Sequence, residues 1–388
     1  MAAEPNPQPS ATRHYFDHAA HSPLRPVARD AWLAAGEVTG NPSGLHGSAR
    51  RSRSLLEDAR ESIAESLGAH PTEVIFTSGG SEADSMAVLG GVRARAGEGR
   101  GRLVISAVEH PAVAGAVDLW PETVVVGVDQ KARLDLDELA THLGPEAGSA
   151  SVCLVSVQTV NNEVGTVQPV DEVAELAHRA GAWFHTDAVQ ALLYPGVDFS
   201  ASQADLMSVS AHKIGGPVGI GVLLARRTVR PTPTTLGGRQ ERDLRSGTQP
   251  TALAAAFAAA LREAVENREG EVARISALRA DLVAGMSEVQ GVRLNGGDQV
   301  NPAIVHVTVE GIRADDVLLL LDRAGIDASV GSACRAGVHQ PSEVVLAMTG
   351  ATQDALSSLR FSMGWTTTGA DVAALLAELP RAIATARG

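Results

Sequence analysis

The stretch "SVSAHKIGGPVGIG", residues 208–221, runs from an apolar strand-like segment through a lysine into a glycine cluster. Lysine is scarce here. Of 32 basic side chains only Lys131 and Lys213 are lysine, and the rest are arginine. Arginine stays protonated, whereas lysine can serve as a neutral amine nucleophile. Lys131, in "VDQKARLD", reads as part of a solvated turn. Lys213, at a strand end beside glycines, stands where amine chemistry is expected.

On either side of this stretch, apolar runs alternate with helical periods, which predicts α/β construction. The strand candidates are "VIFTS", "LVISA", "TVVVGV", "SVCLVSV", "AWFHTD", "DLMSVS" and "GIGVLLA". The segment "RSRSLLEDARESIAESLG" places Leu55, Leu56, Ala59, Ile63 and Leu67 on one helical face and ends at Gly68. Helical stretches between most strands predict a largely parallel sheet. From Thr251 the pattern changes: one long helix over 251–286 leads into "AIVHVTV", "ADDVLLLLDRAG" and "SLRFSMG", a smaller α+β unit. The predicted organisation is a disordered lead over 1–14, a large domain over 15–255, and a small domain over 256–388. Residues 15–26 are expected to contribute to the small domain.

Composition narrows the class. The chain has 388 residues, 44% hydrophobic, with 39 glycines, as suits a globular enzyme. A net charge of −13 and 3% aromatic content argue against direct nucleic-acid binding. Two cysteines form no disulfide framework and point to a reducing compartment. The first residues lack the apolar core of a secretory signal, and "TALAAAFAAALREAV" is too short to span a bilayer. A soluble cytoplasmic protein is expected, with no membrane partner.

Three constellations carry chemistry. "FTSGGSEAD" sets Gly79, Gly80 and Ser81 between a strand and a helix, where free N–H groups and the helix dipole attract an anion. "WFHTDAVQ" ends a strand at Asp187, at the edge where open α/β sheets bind ligands. "SVSAHK" ends another with Ser210, His212 and Lys213. A phosphate cup, a carboxylate and an amine in this order match the needs of pyridoxal 5′-phosphate: a phosphate site, an anion for its ring nitrogen, and a lysine for its Schiff base. Cys334, in "SVGSACRAGVHQP", is flanked by small residues and reads as a reactive thiol, which must be a thiolate to act. Taken singly, His110 and His185 read equally as satisfied interior histidines, Arg360 as a structural ion pair, and Asn162 as a turn residue.

With these blocks in place the chain resembles the cysteine desulfurases, class V members of the fold-type I pyridoxal-phosphate enzymes, most of all the short actinobacterial ones. The resemblance runs from "YFDHAAHSP" to "LRFSMGWTT" through "GNPSGLHGSAR", "EHPAV", "VNNEVGTVQPV", "GGRQERDLRSGTQP" and "GSACRAGVHQPS". It implies a large domain with a mainly parallel seven-stranded sheet, a smaller α+β domain and a homodimer. It implies that Lys213 holds pyridoxal 5′-phosphate, Asp187 pairs with the ring nitrogen, and His110 stacks on the ring. Asn162 and Gln190 would contact the ring oxygen or its surroundings. Gly80, Ser81, Ser210 and His212 would hold the phosphate, with Thr248 reaching the phosphate of the other subunit. Arg360, helped by Asn41, would bind the carboxylate of L-cysteine. Lys213, Cys334 and His110 would be catalytic, with no metal. L-cysteine would become L-alanine, its sulfur captured as a persulfide on Cys334 and passed to an acceptor protein. The acceptor classes open are a tRNA-thiolation enzyme, an iron–sulfur scaffold or a pathway-specific carrier. A selenocysteine lyase or another class V lyase or aminotransferase is the alternative.

The chain departs from that family's pattern at His21 and Ser22, where two threonines are usual, at Ser81 (Thr) and at Ser85 (Asn). Arg335 follows the cysteine where Thr is common, and is expected to lower the thiol pKa. The chain also ends soon after "LRFSMG", without the longer docking tail of many iron–sulfur-feeding members, which leaves tRNA thiolation or a specialised thiolation pathway open.

Overall fold

The computed structural model describes residues 13–144, 151–331 and 340–388. Cys334 and Arg335 lie outside the described residues, as do residues 1–12 of the expected lead. The strands are β1 (His14–Tyr15), β2 (Val74–Thr77), β3 (Arg100–Ser106), β4 (Thr123–Val126), β5 (Ser151–Ser156), β6 (Trp183–Asp187), β7 (Leu206–Ser210), β8 (Gly221–Ala225), β9 (Val292–Asn295), β10 (Ile304–Val309), β11 (Ile326–Asp327) and β12 (Ser358–Ser362).

Seven of these form one sheet in the order β2-β8-β7-β6-β5-β3-β4. Only β8 runs against its neighbours, pairing antiparallel with both β2 and β7. The carboxyl ends of β2, β3, β5, β6 and β7 therefore share one edge, where the backbone leaves the sheet and ligand-binding side chains collect. Apolar residues cover both faces. Phe76, Val104, Val155, Phe184 and Val209 pack under the helix Gly47–Ser66 and its neighbours, and Ile75, Ile105, Leu154 and Leu223 pack under the helix Gly80–Ala96. The periodic face expected in residues 51–68 is observed, with Leu56, Ala59, Ile63 and Leu67 buried.

A second sheet, β12-β10-β9, is antiparallel and has its own core of Phe16, Val305, Val307, Leu359, Phe361 and Leu375. The N-terminal segment joins this second core. β1 pairs with β11, Arg13 bridges to Asp322 and Asp327, and the Ser362 N–H donates to the Phe16 carbonyl. Arg13 and His14, assigned to the lead from sequence, are thus part of the fold.

The single helix expected over 251–286 is instead two, Thr251–Glu266 and Arg268–Ser287. Asn267 breaks it, leaving helical geometry at φ −95°, ψ 2°, and its side-chain amide donates to the Glu263 carbonyl at 3.0 Å. Asparagine competes in this way for backbone partners and so favours helix ends. Buried Arg25 spans the break, donating to Glu263 at 2.9 Å and Glu271 at 2.7 Å.

Segment 239–243 carries four non-glycine residues at positive φ: Arg239, Glu241, Arg242 and Asp243. Its anchor is Glu241, which is buried and accepts from both terminal nitrogens of Arg60 (2.8 and 2.9 Å), from the Phe76 N–H (2.9 Å) and from the Gln249 amide (2.7 Å). Removing one partner of such a pair leaves a buried charge uncompensated. Glu241→Ala is expected to cost about 3–5 kcal/mol in chemical denaturation, whereas Glu57→Ala, removing the exposed partner of the same Arg60, should cost under ~1 kcal/mol.

Candidate active site

A cleft of about 600 Å³ opens at the carboxyl edge of the large sheet. Lys213, Asp187, His110, Ser210, His212, Asn162, Gln190, Gly80, Ser81 and Arg360 all line it. Each arrives by a different route. Asp187 and Ser210 are the last residues of β6 and β7, Lys213 follows within the short turn Ala211–Lys213, and His110 begins the helical turn after β3. Arg360 crosses from the other sheet, in β12.

The glycine cup is built by close approach. Gly79 adopts φ 153°, ψ −177°, a region open essentially to glycine alone. The helix Gly80–Ala96 starts next, and a Cβ on Gly80 would lie 2.8 Å from a methyl of Val189. Ser210 faces the same glycines, and its hydroxyl lies 2.8 Å from Nδ1 of His212. Burial and the neighbouring Lys213 push His212 down to about 4, so its imidazole is neutral. His21, at the first departure from the family pattern, stacks on His212 with ring centroids 6.0 Å apart. Ser22 turns away, its hydroxyl 2.9 Å from His18 Nδ1, and the Ser85 hydroxyl donates to the Ser81 carbonyl. Neither hydroxyl is directed at the cleft.

The amine of Lys213 donates to the Ala19 carbonyl at 2.6 Å and to Ala20 at 2.9 Å. Burial, with the Arg360 charge, pushes it down to about 8. Asp187 accepts from the Val189 N–H at 2.8 Å; burial raises its pKa, partly offset by His110 and Lys213. His110 Nδ1 accepts from the Ala112 N–H at 3.1 Å, which leaves Nε2 as the protonated nitrogen of the neutral ring. His185 is the satisfied interior histidine, its ring nitrogens 2.8 Å from Ser156 Oγ and 3.0 Å from Ser208 Oγ.

Arg360 stands at the cleft and is also ion-paired. It lines the cleft, yet it also donates to Asp17 Oδ1 and to the Asn162 carbonyl, each at 2.8 Å. Its Nε is buried without a partner among the described residues. Its backbone pairs with Ser329, shortly before the segment that carries Cys334. Asn41 and Thr248 are exposed and do not line the cleft of a single chain. The other cysteine, Cys153, is fully buried, donates to the Arg102 carbonyl and is pushed up to about 11 by burial. A thiol so protonated is inert.

Four acidic residues of the site escaped the sequence reading. Asp84, Glu109 and Glu163 line the cleft, and Asp17 holds Arg360. Signals existed: Asp84 follows Gly80 by one helical turn, Glu109 precedes His110, and Glu163 follows Asn162. Glu163 is buried and accepts from the Ser342 hydroxyl at 2.5 Å, and burial lifts it to about 7.

The Lys213 amine should therefore become nucleophilic as pH rises through about 8. Competitive acylation of the cofactor-free protein, read by peptide mass spectrometry, should show Lys213 reacting with that midpoint. A Lys213 midpoint near the ordinary lysine value of about 10.4 would contradict the assignment.

The chain matches the aminotransferase class V family over residues 14–375. It is 44% identical to an IscS-like cysteine desulfurase of Mycobacterium tuberculosis, across 96% of this chain and 97% of the relative. Among solved structures, a NifS-like protein from Rickettsia africae superposes with a TM-score of 0.88 at 27% identity, covering 95% of this chain and 99% of that one. SspA in complex with cysteine superposes with a TM-score of 0.78 at 29% identity, over 91% and 99%. With a parallel-sheet edge that gathers a half-buried lysine, a carboxylate and a glycine cup, and with this likeness along nearly its whole length, the chain belongs to the class V aminotransferase family, among its cysteine desulfurases.

Proposed function

We propose that the cleft binds pyridoxal 5′-phosphate and L-cysteine, and that the chain releases L-alanine while taking the substrate sulfur onto Cys334. The observation that carries this reading is the meeting of the Lys213 amine and the Asp187 carboxylate in one buried cleft. The donor set fits the cofactor that the family implies. Lys213 offers the amine, Asp187 an anion for the ring nitrogen, and the start of the helix Gly80–Ala96 offers free N–H groups beside a cradle that a Cβ would fill. His110, Asn162 and Gln190 would hold the ring. Gly80, Ser81, Ser210 and His212 would hold the phosphate. When bound, the cofactor supplies an electron sink for the carbons beside the substrate's amino group.

The chain's own groups do the rest. The Ala19 carbonyl accepts from both Lys213 and Gln190 and holds the amine at the cleft wall. With its pKa near 8, Lys213 Nζ exists in both protonation states close to neutral pH and can take up and return a proton. Arg360 keeps unused N–H donors after binding Asp17 and Asn162, and these suit a carboxylate. In the overall conversion the substrate C–S bond breaks and an S–S bond forms on Cys334. The Cys334 thiol gives up its proton, and the carbon left behind gains one and departs as alanine. The exposure of Thr248 outside the cleft supports its supply to the phosphate of a second copy, as a homodimer requires. Asn41 would assist at the substrate carboxylate from the same exposed side. A protein acceptor would collect the persulfide, in tRNA thiolation, iron–sulfur assembly or a dedicated thiolation pathway. No helix among the described residues is long and apolar enough to cross a membrane.

Incubating the purified protein with L-cysteine should yield alanine and add the mass of one sulfur atom to the peptide containing Cys334. Cys334→Ser should keep cofactor binding and lose alanine formation. Alanine formed equally fast by that variant would point instead to a selenocysteine-lyase-like reaction. Arg360→Lys should raise KM for cysteine by about 10–100-fold, since an ammonium cannot replace two parallel guanidinium bonds.

A further inference from the structure

Asp84 is the buried group of the cleft that the proposed chemistry leaves without a task. It lies on the helix Gly80–Ala96, is 1% exposed, and its Oδ1 has no hydrogen-bond partner among the described residues. The carboxyl group as a whole is not remote from the chemistry. One ligand atom each of Asp84, His110 and Asp187 lie within 4.8 Å of one another. Two carboxylates so close and so little exposed disfavour each other's ionisation, and a single shared proton relieves that repulsion.

The surroundings decide which member keeps it. Asp187 accepts a backbone N–H and faces His110 and Lys213, all of which favour its anion. Asp84 has no cation beside it. Its neighbours are Ser208, which adjoins the carboxyl, and His185 Nε2 at 3.7 Å. His185 is neutral, pushed down to about 3 by burial. Burial and the Asp187 charge both push Asp84 well above the ordinary carboxylate range. Glu109, also buried with an unpartnered oxygen, is itself pushed up by burial and by the Asp187 charge.

We propose that Asp84 is a positioning residue that acts through Asp187: it carries the single proton of the pair and turns that donor toward Asp187, keeping Asp187 the anion that meets the cofactor's ring nitrogen. This rests on the proposed cofactor reading and adds a role to a residue that touches neither substrate nor the reacting atoms. Its chemical content is specific. A neutral donor of the same shape can replace Asp84, and an apolar residue cannot.

The test uses pyridoxal 5′-phosphate itself and the full-length chain. Its dissociation constant is read from the absorbance of the lysine-bound cofactor in wild type, Asp84→Asn and Asp84→Leu. Asp84→Asn should bind within about 2-fold of wild type, and Asp84→Leu about 10–100-fold more weakly, the worth of one hydrogen bond to a charged group. Equal weakening in both variants, or none in Asp84→Leu, overturns the inference. Infrared difference spectra of the cofactor-free protein provide a second readout, independent of any folding defect in the leucine variant. Asp84→Asn should remove a protonated-carboxyl C=O band that wild type shows at neutral pH, and retention of the full band overturns the inference. A wild-type protein that takes up no cofactor defeats the functional proposal. Normal uptake with indifferent variants defeats only the role of Asp84.

Discussion

A buried imbalance of charge organises this site. Asp84, Asp187 and Glu109 lie close together in the cleft, and half-buried Lys213 and buried Arg360 are the cations facing them. Removing this many charges from water is costly unless each finds a partner or gives up its charge. The molecule uses both routes. Arg360 is held by Asp17 and a backbone carbonyl, while Asp84 and Glu109 are driven toward their neutral forms. Lys213 lies between the two outcomes, its amine neither firmly charged nor firmly neutral near pH 8. That intermediate state is what an amine needs if it is to bond covalently and also move a proton.

The fold makes the imbalance tolerable by bringing its members from separate places. The parallel strands deliver Asp187, Lys213 and His110 to a common edge, and β8, between β2 and β7, runs the other way. Arg360 comes from β12, whose core also includes Phe16 from the start of the chain. The tie from Asp17 to Arg360 therefore links the N-terminus, the second sheet and the cleft through a single guanidinium. Because Arg360 also pairs with Ser329 along the backbone, this guanidinium is tied as well to the backbone a few residues before Cys334 in the chain.

Much of this was legible in the chain before any coordinates. The rarity of lysine drew attention to Lys213, the glycine pair marked the start of a helix, and strand-ending Asp187 lay where such sheets bind ligands. The long helix read over 251–286 is divided at Asn267 because apolar periodicity continues across a break that is a local change of one residue's backbone angles. The acidic residues Asp84, Glu109 and Glu163 were passed over for a related reason. Each sits inside a recognised block, but a carboxylate in sequence reads as surface, and only packing shows that it is buried.

By itself, the sequence determined the alternation of strands and helices, the amine, the glycine cup and the order in which they occur. These depend on local periodicity, on backbone freedom at glycine and on side-chain chemistry, all of which are encoded within a few residues. Tertiary structure alone decided that Arg360 answers Asp17, that Asn41 and Thr248 stand outside the cleft of one chain, and that Asp84 comes to lie beside Asp187. Those outcomes depend on distance and solvent exclusion between residues far apart in the chain. The energy of a charge is set by what surrounds it, and the surroundings exist only once the sheets have closed.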